Sequence, residues 1–117
     1  MKVGIDLVEI KRFENKPEKF FPKIFTKAEI EYCTSYSSPA EHFAGHFAAK
    51  EAVMKALGHG LEEISFLDIE IFHEKTSAPK VRLSGNAQKY RDKLGIKNLE
   101  ISISHDAGLA TAICIAN

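Results

Sequence analysis

Phe47-Ala48-Ala49-Lys50-Glu51-Ala52-Val53-Met54-Lys55-Ala56-Leu57-Gly58 is the stretch on which the reading of the chain turns. Ala, Leu, Met, Lys and Glu are strong helix formers, and nothing inside the run breaks it. It reads as the second half of a helix that begins near Ala40. Gly58 and Gly60 supply a C-terminal stop, because glycine accepts the left-handed conformation that ends helices. Residues four apart share one side, so Phe43, Phe47, Glu51 and Lys55 form a row. Taken alone, Glu51 and Lys55 make an ordinary surface pair worth about 0.2–0.5 kcal/mol. A second acid, Asp6, changes that reading.

Val3 to Glu9 reads as a strand, with Val3, Ile5 and Leu7 on one face and Gly4, Asp6 and Val8 on the other. Aspartate is depleted in strands, and burying its charge unpaired is costly. Asp6 therefore needs either water at a strand end or a cationic partner. Glu51 could meet the second need by sharing a metal ion. Two carboxylates from separate elements, with no cysteine-rich or multi-histidine cluster, suit magnesium, which fills the rest of its shell with water and phosphate oxygens. Lysines beside such a site would neutralise phosphate charge. The Gly58-His59-Gly60 turn offers backbone that phosphate oxygens could approach. The chemistry this allows is metal-assisted phosphoryl transfer.

The remaining elements follow in order. Ile10 to Lys16 forms a short helical segment, interrupted by Pro17, with Pro22 marking another turn. Phe20, Phe21 and Phe25 sit among lysines there, either as anchors to the core or as part of a binding surface. Thr26 and Glu29 form a capping box for a helix from Lys27 to about Thr34, and Phe25 with Ile30 fits the accompanying staple. Ser35 to Pro39 is a turn-rich linker. His42 and His46 have the spacing of a zinc-protease helix, but Phe43 stands where the catalytic glutamate belongs, so that motif is rejected. The two histidines are read as surface or substrate-facing. Ser65 to Phe72 alternates as a half-buried strand. His73 to Pro79 is a loop, Lys80 to Leu83 a short strand, and Asn86 to Leu94 a helix capped by Ser84 and closed by Gly95. Leu99 to Ser104 and Leu109 to Ala116 are strands joined by His105-Asp106-Ala107-Gly108.

This order predicts an α+β domain over residues 1–117, with a small antiparallel sheet and packed helices. A sheet this small needs neighbours to cover it, which predicts a symmetric homo-oligomer. Apolar content of 44% and charged content of 27% are those of an ordinary globular chain. The longest apolar run, Leu109 to Ala116, is too short for a membrane span. Asp6 interrupts the N-terminus before a secretory signal can build, so a cytoplasmic protein is expected. Cys33 and Cys114 make neither a disulfide framework nor a metal spacing. Charge is balanced overall but not locally. Lys11 to Lys27 carries six bases against two acids, and Leu61 to Glu74 five acids and no base. Such separation is by itself a solvated face or a contact between subunits, and it can also steer an acidic partner to the N-terminal third. Neutrality and the lack of a sustained basic face argue against nucleic acid.

Gly4-Ile5-Asp6-Leu7-Val8-Glu9-Ile10-Lys11-Arg12 resembles the first signature of the holo-acyl-carrier-protein synthases, the small class of 4′-phosphopantetheinyl transferases. Phe47-Ala48-Ala49-Lys50-Glu51-Ala52 with Lys55-Ala56-Leu57-Gly58-His59-Gly60 resembles the second. Ser65-Phe66-Leu67-Asp68-Ile69-Glu70-Ile71 and Ile103-Ser104-His105 are similar to later blocks. The likeness runs over nearly the whole chain, in order.

The resemblance implies a trimer with active sites in the clefts between subunits. Coenzyme A would bind with its diphosphate on Mg²⁺, held by Asp6 and Glu51. A serine of apo-acyl carrier protein would attack the phosphate attached to pantetheine, and adenosine 3′,5′-bisphosphate would leave, in fatty acid biosynthesis. Glu51, directly or through a metal-bound water, would be the base, and Lys55 would stabilise developing charge. Lys50, Gly58 and His105 would touch coenzyme A. Acyl carrier proteins are acidic, so Lys11, Arg12, Lys16, Lys19 and Lys23 gain a partner. The chain departs from the family at His46, where arginine is usual. Imidazole titrates near neutrality, so coenzyme A affinity is expected to weaken from about pH 6 to pH 8. Two other readings are a metal-dependent phosphohydrolase, which would need no protein acceptor, and a non-catalytic module that would need neither metal nor Asp6.

Overall fold

The computed structural model describes residues 1–75 and 78–117. Its central element is the helix α2, Pro39–Leu57. Pro39 opens it, with φ already set for a helix, and Gly58 ends it at φ 75°. From Phe43 to Leu57 only Glu51 and Lys55 escape burial. A helix apolar on nearly every side is one that other elements surround.

Five strands complete the domain: β1 Lys2–Glu9, β2 Ile69–His73, β3 Pro79–Leu83, β4 Leu99–Asp106 and β5 Leu109–Ala116. They form two antiparallel sheets, one of order β1-β5-β4 and one pairing β2 with β3. Helices α1, Lys27–Thr34, and α3, Gly85–Lys93, pack beside them. The larger sheet lies on α2 through small side chains: Gly4, Ala110, Ala112, Cys114 and Ala116, all buried. A methyl group on Gly4 would overlap the carbonyl oxygen of Ala52. Only glycine allows this approach of strand to helix.

The other face of that sheet carries the bulk. Val3, Ile5 and Leu7 are each more than 60% exposed, and Ile115, opposite Val3, is 40% exposed. Large apolar residues therefore face outward and small ones inward, the reverse of a sheet that ends at water on one side. The N-terminal phenylalanines are anchors: Phe13 and Phe25 are buried, and Phe21 packs 4.4 Å from Phe43, ring centre to ring centre. The two cysteines are buried and unpaired.

Several boundaries differ from the sequence reading. Ile10–Phe13 is one 3₁₀ turn, shorter than expected. The strand expected from Ser65 begins only at Ile69. Ser65 and Asp68 cap each other's backbone instead, which winds Phe66–Asp68 into a 3₁₀ turn and leaves Leu67 42% exposed. β4 continues through His105 to Asp106, so the hairpin narrows to Ala107 and Gly108, at φ 51° and 77°. Two successive left-handed residues match the twist of the flanking strands. The loop expected from His73 to Pro79 includes Thr76 and Ser77, outside the described residues.

Candidate active site

Asp6 lies mid-strand in β1, opposite Ala112, and its backbone carbonyl accepts a 2.8 Å hydrogen bond from Thr111. Its carboxylate points towards α2 because the close approach at Gly4 lays β1 along Ala52 and Ala56. There it meets Lys55, whose ammonium donates to the carbonyl of Ile5 at 2.8 Å and lies 3.3 Å from Asp6 Oδ1. One turn back along the helix, Glu51 is half-buried. Burial pushes its carboxyl above the usual carboxylate range, the nearby Asp6 charge pushes it further, and Lys55 and Arg12 pull the other way. The fold thus brings together Asp6, Glu51 and Lys55 as the sequence predicts. Beside Glu51 opens a cavity of about 300 Å³ lined by Arg12, Phe13, Phe20, Phe47 and Phe66 among others. The Arg12 guanidinium sits over the Phe47 ring at 5.1 Å.

These two carboxylates fit a hard divalent cation. Their donors are oxygens only, and the like-charge pressure recorded at Glu51 is what a cation would relieve. Among the described residues no group of three or more His, Cys, Asp or Glu side chains gathers for a metal. That suits an ion which completes its shell with water and substrate oxygens.

The other expected contacts lie elsewhere. Lys50 is not available to a phosphate. It is fully buried, and its ammonium is held by Glu29 Oε1 at 2.8 Å and by the carbonyls of Phe66 at 2.9 Å and Ile69 at 2.6 Å. His46 is not a surface residue either, at 2% exposure. Its Nδ1 lies 3.0 Å from Glu29 Oε2, and its Nε2 lies 3.2 Å from His73 Nε2. Both corrections have one cause: the capping glutamate of α1 turns inward and collects the polar groups of α2. His105 projects from β4, 2.8 Å from Glu41 Oε1. With His42, His46, His73 and Tyr32 it lines a second cavity, of about 180 Å³. His46 and Glu51 are five residues apart, so they leave the helix about 140° from each other. Gly58 is the helix cap itself, with open space where a side chain would be.

A family model described as the 4′-phosphopantetheinyl transferase superfamily matches residues 2–114. The chain belongs to that superfamily. It is 44% identical over 116 residues to a holo-[acyl-carrier-protein] synthase of Caldicellulosiruptor bescii, covering 97% of this chain and 95% of that one. The Helicobacter pylori holo-[acyl-carrier-protein] synthase, solved in complex with coenzyme A, superposes with a TM-score of 0.84 at 38% identity, covering 98% of this chain and 99% of that one. The Neisseria meningitidis synthase superposes at 0.88 with 28% identity, covering 99% and 97%.

Sequence reasoning missed what four residues of this phosphopantetheinyl transferase do. Arg12 was placed in the first signature and the basic segment with no role at the site, yet it borders the cavity beside Glu51. Its position immediately before buried Phe13 was the available signal. Glu29 was read as a cap and nothing more. His73 and its neighbour Tyr32, whose rings stack at 4.1 Å, gave no local sign at all.

Proposed function

We propose that the chain transfers the 4′-phosphopantetheine arm of coenzyme A to a serine of apo-acyl carrier protein, as a cytoplasmic, Mg²⁺-dependent homotrimer serving fatty acid biosynthesis. The observation that carries this reading is the close packing of β1 on α2, which sets Asp6, Glu51 and Lys55 side by side next to a cavity. Relatives of that name, one of them solved with coenzyme A, support it.

Asp6 and Glu51 would hold the cation, whose chemistry when bound is to offset the charge of the diphosphate. Glu51 takes the proton of the incoming serine hydroxyl. Its raised carboxyl makes it a stronger base than an exposed glutamate. The serine oxygen bonds to the phosphorus that carries pantetheine. The bond from that phosphorus to the bridging oxygen breaks, and its electron pair leaves on adenosine 3′,5′-bisphosphate. Lys55, held by the Ile5 carbonyl and Asp6 with its side chain 53% exposed, stands where it can meet the charge that gathers on the leaving group. The phenylalanines of the adjoining cavity keep water from the reacting phosphate and offer the pantetheine arm an apolar wall. Lys11, Arg12, Lys16, Lys19 and Lys23 are exposed, Arg12 at the cavity itself, and suit the acidic carrier. The uncovered apolar face of the larger sheet supports an oligomer, with the histidine cavity of one protomer serving the carboxylates of another.

Incubation with apo-acyl carrier protein, coenzyme A and Mg²⁺, followed by mass spectrometry, tests the reaction. The carrier gains one phosphopantetheine arm with the wild type. Asp6→Asn and Glu51→Gln each lower the rate by roughly 10²–10⁴-fold with the fold intact. Full Mg²⁺-dependent activity in Asp6→Asn would end the shared-metal reading.

A further inference from the structure

Lys55 does not take the partner that its own helix offers. Glu51 stands one turn back on α2, yet among the described residues the ion-pair partner of Lys55 is Asp6, on β1. Its ammonium crosses to the strand and donates to two oxygens, the carbonyl of Ile5 at 2.8 Å and Asp6 Oδ1 at 3.3 Å. The two partners differ in freedom. Asp6 sits mid-strand with its side chain 16% exposed, whereas the Lys55 side chain is 53% exposed. An ammonium has three N–H groups on a flexible four-carbon stem, so Lys55 can turn to a new acceptor without unpacking its neighbours.

Asp6 Oδ1 is therefore claimed twice. It belongs to the oxygen set that fits a hard divalent cation, and it already holds an ammonium. A dication and an ammonium on one oxygen repel each other, more strongly at a half-buried site than in water. With both carboxylates ionised, Asp6, Glu51 and Lys55 together carry one negative charge, and a dication makes it one positive charge. That excess is relieved by moving the cation that is free to move. Arg12, the other cation nearby, rests over the Phe47 ring at 5.1 Å, and among the described residues it makes no ion pair with either carboxylate.

We propose that Lys55 is the resident counter-ion of the carboxylate pair, displaced from Asp6 by the divalent cation and thereby turned towards the polyphosphate that follows. The proposal rests on the magnesium and coenzyme A reading above. It gives Lys55 two effects of opposite sign. Towards the metal alone the lysine is a competitor, and towards the diphosphate on the loaded site it is a helper. The metal therefore binds before the nucleotide. A lysine that merely oriented Asp6 would aid metal binding instead.

Calorimetric titration of Mg²⁺ into the nucleotide-free protein separates these cases. Lys55→Met should bind Mg²⁺ about three- to tenfold more tightly than wild type, whereas Arg12→Met, which removes charge without freeing Asp6, should gain less than about twofold. With Mg²⁺ in excess, the same Lys55→Met chain should bind coenzyme A about tenfold more weakly. Brief acetylation of the wild type, read by peptide mass spectrometry, follows the lysine itself. Lys55 should label about threefold faster in Mg²⁺ than in EDTA, while buried Lys50 stays unlabelled in both. Equal or weaker Mg²⁺ binding by Lys55→Met, an equal gain in Arg12→Met, or Lys55 labelling that ignores Mg²⁺ would overturn the handover. A handover without any transfer to the carrier would uphold it and overturn the transferase reading. Transfer with Lys55 labelling indifferent to Mg²⁺ would do the converse.

Discussion

Glu51 illustrates how one residue carries opposed demands. A carboxyl raised above its unfolded value favours the protonated form in the folded protein, so its stabilising contribution is present at low pH and is lost as pH rises through the folded value. At neutral pH its charge, pressed by burial and by Asp6, costs stability. Glu51→Gln should therefore melt above wild type at pH 7 in EDTA, with the difference vanishing below about pH 4.5. Adding Mg²⁺ should raise the wild-type melting temperature and leave Glu51→Gln unmoved, as differential scanning fluorimetry reads directly. A lower melting temperature for the variant in EDTA would contradict this account. Asp6 was legible in the sequence because it broke the strand pattern, and Glu51 drew notice only through Asp6. Lys50 was not. Its acceptors are backbone carbonyls of Phe66 and Ile69 and a side chain on another helix, which only the tertiary fold assembles.

At the scale of elements, the Glu29–Lys50 pair ties three of them together. Glu29 caps α1, where Thr26 N–H donates to it at 3.0 Å. It holds Lys50 of α2, and Lys50 in turn holds the carbonyls before and at the start of β2. Lys50→Met removes one partner of a fully buried ion pair and leaves Glu29 buried without its ammonium partner, a loss of about 3–5 kcal/mol. Urea unfolding at pH 7 measures it. A loss under about 1 kcal/mol would show that the pair does not anchor the helix. Acid should act through the same group. Glu29's lowered carboxyl contributes stability above its unfolded pKa, and that stability is lost as pH falls through the lower folded value. Helix and strand types were readable from period and caps, whereas Phe66–Asp68 was not, because alternation of Leu67, Ile69 and Ile71 mimicked a strand where Ser65 and Asp68 close a turn.

At the scale of the whole molecule, the cavity beside Glu51 and the histidine cavity are separate. The carboxylates and the histidine cavity leave α2 in different directions, and a wide apolar sheet face separates neither from water. If protomers complete each other's sites, two inactive variants should cooperate. Co-expressed Glu51→Gln and His105→Ala chains should regain about a quarter or less of wild-type turnover, although each homo-oligomer is impaired; without recovery, the shared site is excluded. Light scattering of Ile5→Asp, which plants a charge on the outer sheet face, should report a monomer with little activity. The size of the sheet led to the expectation of an oligomer, and the exposed apolar face of β1 is the structural feature that supports it. That exposed face was not legible, since the strand pattern of β1 does not disclose that the small residues face α2.

The buried cysteines give the protein a built-in clock. Cys33 packs beside the Glu29–Lys50 pair, and burial drives its thiol far above the ordinary range; Cys114 lies between sheet and helix with its thiol pushed up to about 11. Neither reacts while its layer is closed. Alkylation followed by peptide mapping would time the opening of the α1 layer and of the sheet layer separately, and coenzyme A should slow the first more than the second.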